Sequence, residues 1–151
     1  MYARILVPID GSEPATRGLH EALKLAKHDG ANMRLLHVLD EFVIGNASGD
    51  HLGPLLEALR AAGRTLLDEA ESLVRRAGIE VDSVLVEATD GHAGDHIIRQ
   101  ALAWHADLIV CGTHGRRGIR RLTLGSDAEY ILRRASVPVL LVRGSTPENQ
   151  P

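Results

Sequence analysis

The segment Leu108–Ser126, with the sequence LIVCGTHGRRGIRRLTLGS, contains in order the signals for a strand, a glycine-rich turn and a helix start. Its first four residues are apolar, a pattern typical of a strand buried on both faces of a parallel sheet. Glycines after the strand allow a tight turn and a close approach of the backbone to a ligand. Ser126 is predicted to be the N-cap of the following helix, with Asp127 and Glu129 in its first turn.

This arrangement of strand, turn and helix start has two interpretations. Free amide groups and the positive end of the helix dipole would bind an anion such as phosphate. A glycine turn with a run of arginines is, however, also common on a solvated surface. The chain contains neither the G-x-x-x-x-G-K-[ST] phosphate loop nor the G-x-G-x-x-G dinucleotide fingerprint, so neither an ordinary P-loop NTPase nor a Rossmann-type dehydrogenase is predicted.

The rest of the chain alternates short apolar runs with segments of helical periodicity. The apolar runs predict five strands, Ile5–Ile9, Arg34–Leu39, Val84–Val86, Leu108–Cys111 and Val137–Val142. Helical patterns lie between them, from Ser12 to about Gly30, over Leu55–Ala77, from about Asp95 to His105, and over Ser126–Ala135. Strands that alternate with helices predict a single-domain α/β fold, an open parallel five-stranded sheet with helices on both faces.

Three further features of the chain lead to local predictions. The polar segment Asp40–Pro54 is predicted to be a long, mobile loop. His37 in the second strand is expected to pack or form a hydrogen bond in the interior. His92 and His96 are four residues apart, but no metal site is predicted, because Gly94 lies between them at a helix start and no third ligand follows.

Length, composition and charge limit the class of protein. The 151 residues are 44% hydrophobic and 25% charged, values typical of one globular domain with its own core. A net charge of −3 gives no general attraction to nucleic acid or to an anionic membrane. The lone cysteine, Cys111, suits a reducing compartment, and no apolar run is long enough to span a bilayer. A cytoplasmic location without a leader segment is therefore expected.

The spacing Gly112-x2-Gly115-x9-Gly125-Ser126 resembles the nucleotide-binding motif of the universal stress protein family. The flanking segments agree, because Ile5–Ser12, Leu36–Val38 and Val137–Val142 resemble the first, second and last strands of that family. The similarity extends from Arg4 to Arg143. It implies a universal stress protein domain over residues 1–144, followed by a flexible C-terminal tail at 145–151.

The resemblance also implies a fold and a ligand. The fold is Rossmann-like, of the adenine nucleotide alpha hydrolase-like type, with strand order 3-2-1-4-5 and a ligand cleft at the switch point. The ligand is expected to be ATP, or else AMP or ADP, with Mg²⁺ as a candidate companion. The residues implied to bind the nucleotide are Pro8, Ile9, Asp10, Val38, Cys111, Gly112, His114, Gly115, Arg116, Gly125, Ser126 and Asp127. Among them, Pro8, Ile9, Asp10 and Val38 would surround the adenosine end.

Asp127 departs from the family pattern, in which a small apolar residue commonly follows Gly-Ser. A carboxylate ~5 Å from a phosphate would cost on the order of 3 kcal/mol at an effective dielectric constant of ~20. Two arrangements would avoid this cost. The side chain could turn away to cap its own helix, or the neighbouring arginines could neutralise it. On either arrangement, replacing Asp127 with alanine is expected to tighten nucleotide binding or leave it unchanged.

Three functions remain open from the sequence. The first is a dimeric stress-response protein that binds ATP without fast turnover and acts on an unknown protein partner. The second is a slow ATPase or autophosphorylating phosphotransferase that uses Ser126 or His114. The third is a dimeric interaction protein whose cleft holds AMP or is empty.

In the family the edge strand, here Val137–Val142, pairs with the same strand of a second copy, so the resemblance implies a homodimer. Nucleic acid and membrane are not expected partners.

Overall fold

The structure is a computed structural model that describes residues 1–39, 49–88, 90–114 and 124–145. Strands and α-helices alternate along these residues. The strands are β1 (Arg4–Pro8), β2 (Asn32–Leu39), β3 (Val81–Glu87), β4 (Leu108–Gly112) and β5 (Val139–Val142). The α-helices are α1 (Glu13–Asp29), α2 (Leu52–Arg76), α3 (Ala93–Ala103) and α4 (Ser126–Arg134). The predicted succession of elements is confirmed.

The strands form one parallel sheet in the order β3-β2-β1-β4-β5, as the family resemblance implied. β1 lies in the middle, with Arg4 opposite Asn32 of β2 and Ile5 opposite Leu108 of β4. Because helices cover both faces of the sheet, the apolar residues Ile5, Leu6 and Val7 of β1 are fully buried.

The core consists of two layers, one on each face of the sheet. Ile5 and Val7 of β1 pack in the layer beneath α1 and α2, which contribute Leu19, Ala22, Leu67 and Val74 among others. Leu6 points to the opposite layer, beneath α3 and α4, with Ile97, Ala101 and Ile131. The alternation of side chains along a strand therefore supplies both layers from the same short apolar run.

Some predicted boundaries were wrong, among them that of β3, which spans Val81–Glu87 and not only Val84–Val86. The loop predicted over Asp40–Pro54 ends early, because Gly49–His51 form a 3₁₀ turn and α2 already begins at Leu52. Pro54 is tolerated there, since the first turn of a helix needs no donor from it. The edge strand predicted over Val137–Val142 begins at Val139, because Pro138 lacks an N–H. Pro138 only accepts a bond, from Ile109 N at 3.0 Å.

Among residues 1–39, 49–88, 90–114 and 124–145, no helix combines the length and the apolarity that crossing a bilayer requires.

Candidate functional site

β1 and β4 are neighbours in the sheet, but the helices that follow them cover opposite faces. Such a switch point in an open α/β sheet leaves a crevice at the carboxyl ends of the strands. The register of β1 and β4 pairs Leu6 with Ile109, and continuing it places Ile9 level with Gly112. The sequence-predicted residues at the two strand exits are therefore brought together.

The turn after β1 is held by its own side chains. Pro8 is the last residue of the strand, Ile9 is buried, and Asp10 is half-buried. Asp10 Oδ1 accepts a hydrogen bond from Ser12 N at 2.9 Å. Ser12 Oγ in turn accepts from Ala15 N at 3.3 Å, so the predicted N-cap of α1 is confirmed. These bonds hold the Asp10 carboxylate at the mouth of the crevice.

Gly112 ends β4 where the first turn of α1 crosses it. A Cβ atom at this position would lie 2.8 Å from the carbonyl carbon and Cβ of Pro14 and 2.9 Å from Ala15 N. Real Cβ atoms essentially never approach so closely, so α1 can pack on β4 only because residue 112 is glycine. The first glycine of the motif therefore has a packing role, in addition to any contact with a ligand.

The segment after β4 is bound to the sheet and to the start of α4. Thr113 N donates to Val142 O of β5 at 2.9 Å, and Thr113 O accepts from Gly125 N at 2.8 Å. His114 is half-buried, with Nδ1 3.1 Å from Thr113 Oγ1. The predicted site residues Gly115 and Arg116, and the remaining arginines of the loop, lie outside the described residues.

The N-cap of α4 is Gly125 and not Ser126 as the sequence predicted. Gly125 O accepts the first helical bond, from Glu129 N at 2.9 Å, and Gly125 has extended backbone angles. Its amide is used by Thr113, so it is not available to a ligand. The first amides of the helix itself, from Ser126 onward, have no acceptor within the helix. Such amides, together with the helix dipole, are suited to an anion.

All of these elements lie within a match to one protein family. A sequence profile of the universal stress protein family matches residues 1–143. The chain belongs to this family. A universal stress protein of Thermus aquaticus is 32% identical over 146 residues, which cover 95% of this chain and all of that protein.

Solved structures of universal stress proteins share the fold. MJ0577 of Methanocaldococcus jannaschii superposes with a TM-score of 0.85 at 26% identity, over 97% of this chain and 99% of that one. The universal stress protein of Archaeoglobus fulgidus in complex with dAMP gives a TM-score of 0.66 at 26% identity, over 93% of this chain and 98% of that one. The bound dAMP is a property of that protein.

Asp127, the residue directly after the Gly-Ser pair, bonds to the neighbouring helix α3. Its Oδ1 accepts a hydrogen bond from Gly94 N, in the first turn of α3, at 3.2 Å. The N-cap of α3, His92, makes no side-chain cap bond of its own. The carboxylate therefore caps the neighbouring helix and not its own, an arrangement that the sequence did not predict.

Gly94 makes this contact between α3 and α4 possible. A Cβ atom there would lie 2.9 Å from Tyr130 Cδ1 and 3.3 Å from Asp127 O. The sequence did contain a signal for it, since a glycine in the first helical turn has a high intrinsic cost and calls for a packing reason.

Cys111 lies at the base of the site and is 5% exposed. Burial raises the pKa of its thiol to about 12, and the negative charge of Asp127 acts in the same direction. A thiol with so high a pKa is a poor nucleophile at neutral pH. Cys111 therefore belongs to the wall of the site and not to its chemistry.

His92 and His96 both have structural partners. His96 Nε2 is 2.7 Å from Asp90 O, and the ring of His92 packs against Tyr130 with centroids 5.6 Å apart and a 49° angle between the ring planes. Across the described part of the chain, no group of three His, Cys, Asp or Glu side chains is arranged to hold a metal ion.

His37 was expected to form a bond in the interior, and it does, with a partner that the sequence could not name. The ring is 7% exposed, and its Nδ1 lies 2.8 Å from Ile9 O, the carbonyl directly before Asp10. Val38, the next residue, is half-buried near the end of β2. The histidine therefore links the second strand to the exit of the first.

The chain that leaves β5 returns to the same edge. Ser145 N donates to Glu13 Oε1 at 2.9 Å, and the Ser145 hydroxyl also donates to that oxygen. These bonds hold the pKa of the Glu13 carboxyl below its usual value. Residues 146–151 of the predicted tail lie outside the described residues.

Proposed function

We propose that this universal stress protein binds an adenine nucleotide, ATP in the first place, at the β1–β4 switch point and acts as a dimeric regulatory protein. The observation that carries the proposal is the convergence of Asp10, Gly112 and the N-terminus of α4 at one edge of the sheet. A carboxylate is suited to ribose hydroxyl groups, and helix amides are suited to phosphates. A structural relative with dAMP bound supports the same ligand class.

The position of Asp127 supports phosphate binding. Its carboxylate is engaged by Gly94 N of α3, so the repulsion expected from a negative charge beside the phosphates is reduced. Mg²⁺, if it accompanies ATP, would be held mainly by phosphate oxygens, because the described residues offer no cluster of three ligands. In that complex the ion would neutralise phosphate charge.

The test of the phosphate end uses the position of Ser126 at the first residue of α4. Gly125, directly before it, has φ −62° and ψ 152°, which a following proline permits, and proline is favoured at the first helical position. Ser126→Pro therefore removes one amide donor while the helix remains intact. We expect a loss of about tenfold or more in ATP affinity by calorimetry.

Ser126→Ala is the matched control, because it removes the hydroxyl and keeps the amide, and it should lose less affinity than Ser126→Pro. Adenosine affinity should be the same in both variants as in the wild type. Equal ATP binding by Ser126→Pro and the wild type would contradict a phosphate site at this helix.

Denaturing the purified protein and identifying any released nucleotide by chromatography separates the alternatives. Released ATP supports the proposal, whereas AMP or no nucleotide supports an interaction protein with a weak or empty triphosphate site. Phosphate release that is lost in Ser126→Ala or His114→Ala would favour the slow ATPase or phosphotransferase.

The dimer interface is proposed at β5, the edge of the sheet. β5 pairs with β4 on one side, and its Leu140 side chain is 38% exposed. An apolar edge strand is stabilised when a second copy covers it, and isologous pairing closes the assembly. Leu140→Lys should therefore convert a dimer to a monomer in sedimentation at micromolar concentration.

Leu102→Lys is the control for that experiment, since Leu102 on α3 is 54% exposed and lies away from the edge strand. A wild-type monomer, or a Leu140→Lys variant that still dimerises, would contradict the proposed interface.

A further inference from the structure

The hydrogen bonds between β1 and β2 change character at the exit of β1. Ile9 N donates to Leu36 O at 2.8 Å and so continues the parallel ladder. In a regular parallel ladder the next bond would return from Val38 N to Ile9 O. Among the hydrogen bonds of the described residues, Ile9 O instead receives the imidazole Nδ1 of His37 at 2.8 Å, and no bond from Val38 N to Ile9 O occurs.

The chemistry of this contact fixes its direction. A carbonyl oxygen can only accept, so Nδ1 of His37 carries the hydrogen and donates it to Ile9 O. The buried carbonyl is thereby satisfied without the ladder amide. The His37 side chain therefore donates to Ile9 O in place of the Val38 amide, which would be the donor in a regular ladder.

Gly63 in the middle of α2 makes room for the ring. A Cβ atom at residue 63 would lie 2.8 Å from His37 Cδ2 and 2.9 Å from Leu85 Cδ1. A glycine inside a helix costs roughly 1 kcal/mol relative to alanine. That cost is retained at a point of α2 that packs on the imidazole, where any larger residue would collide with the ring.

We propose that His37 is a positioning residue that replaces the last β1–β2 ladder bond, and so leaves the Val38 amide at the carboxyl edge of the sheet as a donor for the base edge of a bound nucleotide. The inference rests on the proposed function, since the ligand is the same adenine nucleotide. The same contact fixes the peptide plane that leads into Asp10, which is next to Ile9 in the chain.

The unliganded wild-type protein provides the first test by NMR. We expect the Nδ1–H tautomer of His37, no hydrogen-bond scalar coupling between Val38 N and Ile9 C′, and fast hydrogen exchange at the Val38 amide. A ring with Nε2 protonated and Nδ1 bare, or a Val38–Ile9 coupling, would overturn the inference whether or not nucleotide binds.

Substitutions test the consequence for binding, with adenosine and inorganic tripolyphosphate as separate probes. His37→Phe keeps a ring but has no donor, so the Val38 amide should turn to Ile9 O and its exchange should slow. We expect adenosine affinity to fall about tenfold, with tripolyphosphate affinity unchanged. His37→Asn retains a donor close to the position of Nδ1 and should stay within about threefold of the wild type.

Two glycine variants of α2 form a second pair. Gly63→Ala should displace the ring and reproduce the loss of adenosine affinity, whereas Gly53→Ala meets nothing within 4 Å and should bind like the wild type. Wild-type adenosine affinity in both His37→Phe and Gly63→Ala would overturn the inference. A wild-type protein that binds no adenine nucleotide would instead overturn the proposed function.

Discussion

The turns after β1 and β4 start from neighbouring strands and end at helix N-termini, yet Asp10 at the first turn and Asp127 at the second bond to backbone amides at very different distances along the chain. After β1, Asp10, Ser12 and Ala15 bond to one another over two or three residues. After β4, Asp127 bonds to Gly94, 33 residues away. The cap of α1 is thus formed within its own turn, although His37 and Ser145 also bond to this turn from distant parts of the chain. The bond of Asp127 depends on where α3 lies.

The comparison extends to the serines of the two turns. Ser12 caps α1 through its hydroxyl, whereas Ser126 is the first residue of α4 and its helix is capped by Gly125. Two similar helix-start signals therefore gave one correct and one incorrect prediction. A serine before a helix caps it only if the backbone leaves the helix at that residue.

The largest expected effect is at Gly112, where the two turns touch. Gly112→Ala should lower the free energy of unfolding by ~3 kcal/mol, because the new Cβ would overlap the backbone of Pro14 and Ala15. Gly18→Ala on α1 is the control, since its Cβ would meet Cys111 and Gly112 at ordinary distances of 3.6–3.9 Å. Urea unfolding measures both variants, and a Gly112→Ala protein as stable as Gly18→Ala would show that α1 can shift at no cost.

The next effect is a pH dependence of the free energy of unfolding, caused by Cys111 at the end of β4. The pKa of Cys111 is raised by burial from 9.0 to about 12, so the unfolded chain loses this proton before the folded one. The contribution of the protonated Cys111 thiol to the free energy of unfolding is complete below pH 9. It is lost as pH rises toward 12, by up to about 1.4 kcal/mol per pH unit. Subtracting the Cys111→Ala profile isolates this slope from other groups. Identical slopes in both proteins would mean that the thiol ionises as easily folded as unfolded.

Asp127 tests whether the β4 turn is tied to α3. Asp127→Ala should cost about 1 kcal/mol of stability, because the Gly94 amide loses its acceptor. Asp127→Asn keeps an acceptor oxygen and should recover most of that loss. ATP affinity by calorimetry should be unchanged or slightly tighter in both variants. A marked loss of affinity would show that the carboxylate contacts the ligand.

The smallest effect compares the two serines directly. Ser12→Ala should cost about 1 kcal/mol, because Ala15 N loses its cap. Ser126→Ala should change thermal stability by only a few tenths of a kcal/mol, because no cap bond is removed. Equal losses in the two variants would restore Ser126 as a cap and remove the difference between the turns.

Much of the fold could be predicted because its signals are local. The apolar runs at β1 and β4 identified buried strands, and the alternation of strands and helices gave the parallel sheet. The end of α1 at Gly30, with φ 72°, follows from the one residue type that adopts this conformation readily. Strand order and the motif at Gly112, by contrast, came from the family resemblance.

The sequence by itself determined the elements and the cap at Ser12, since periodicity and turn chemistry act over a few residues. Only the tertiary structure decided three contacts: Asp127 bonds to Gly94, Pro14 packs against Gly112 where a Cβ would not fit, and His37 donates to Ile9 O. The reason is physical: the chain sets which groups need space or a partner, but strand register and helix packing set which group is within reach.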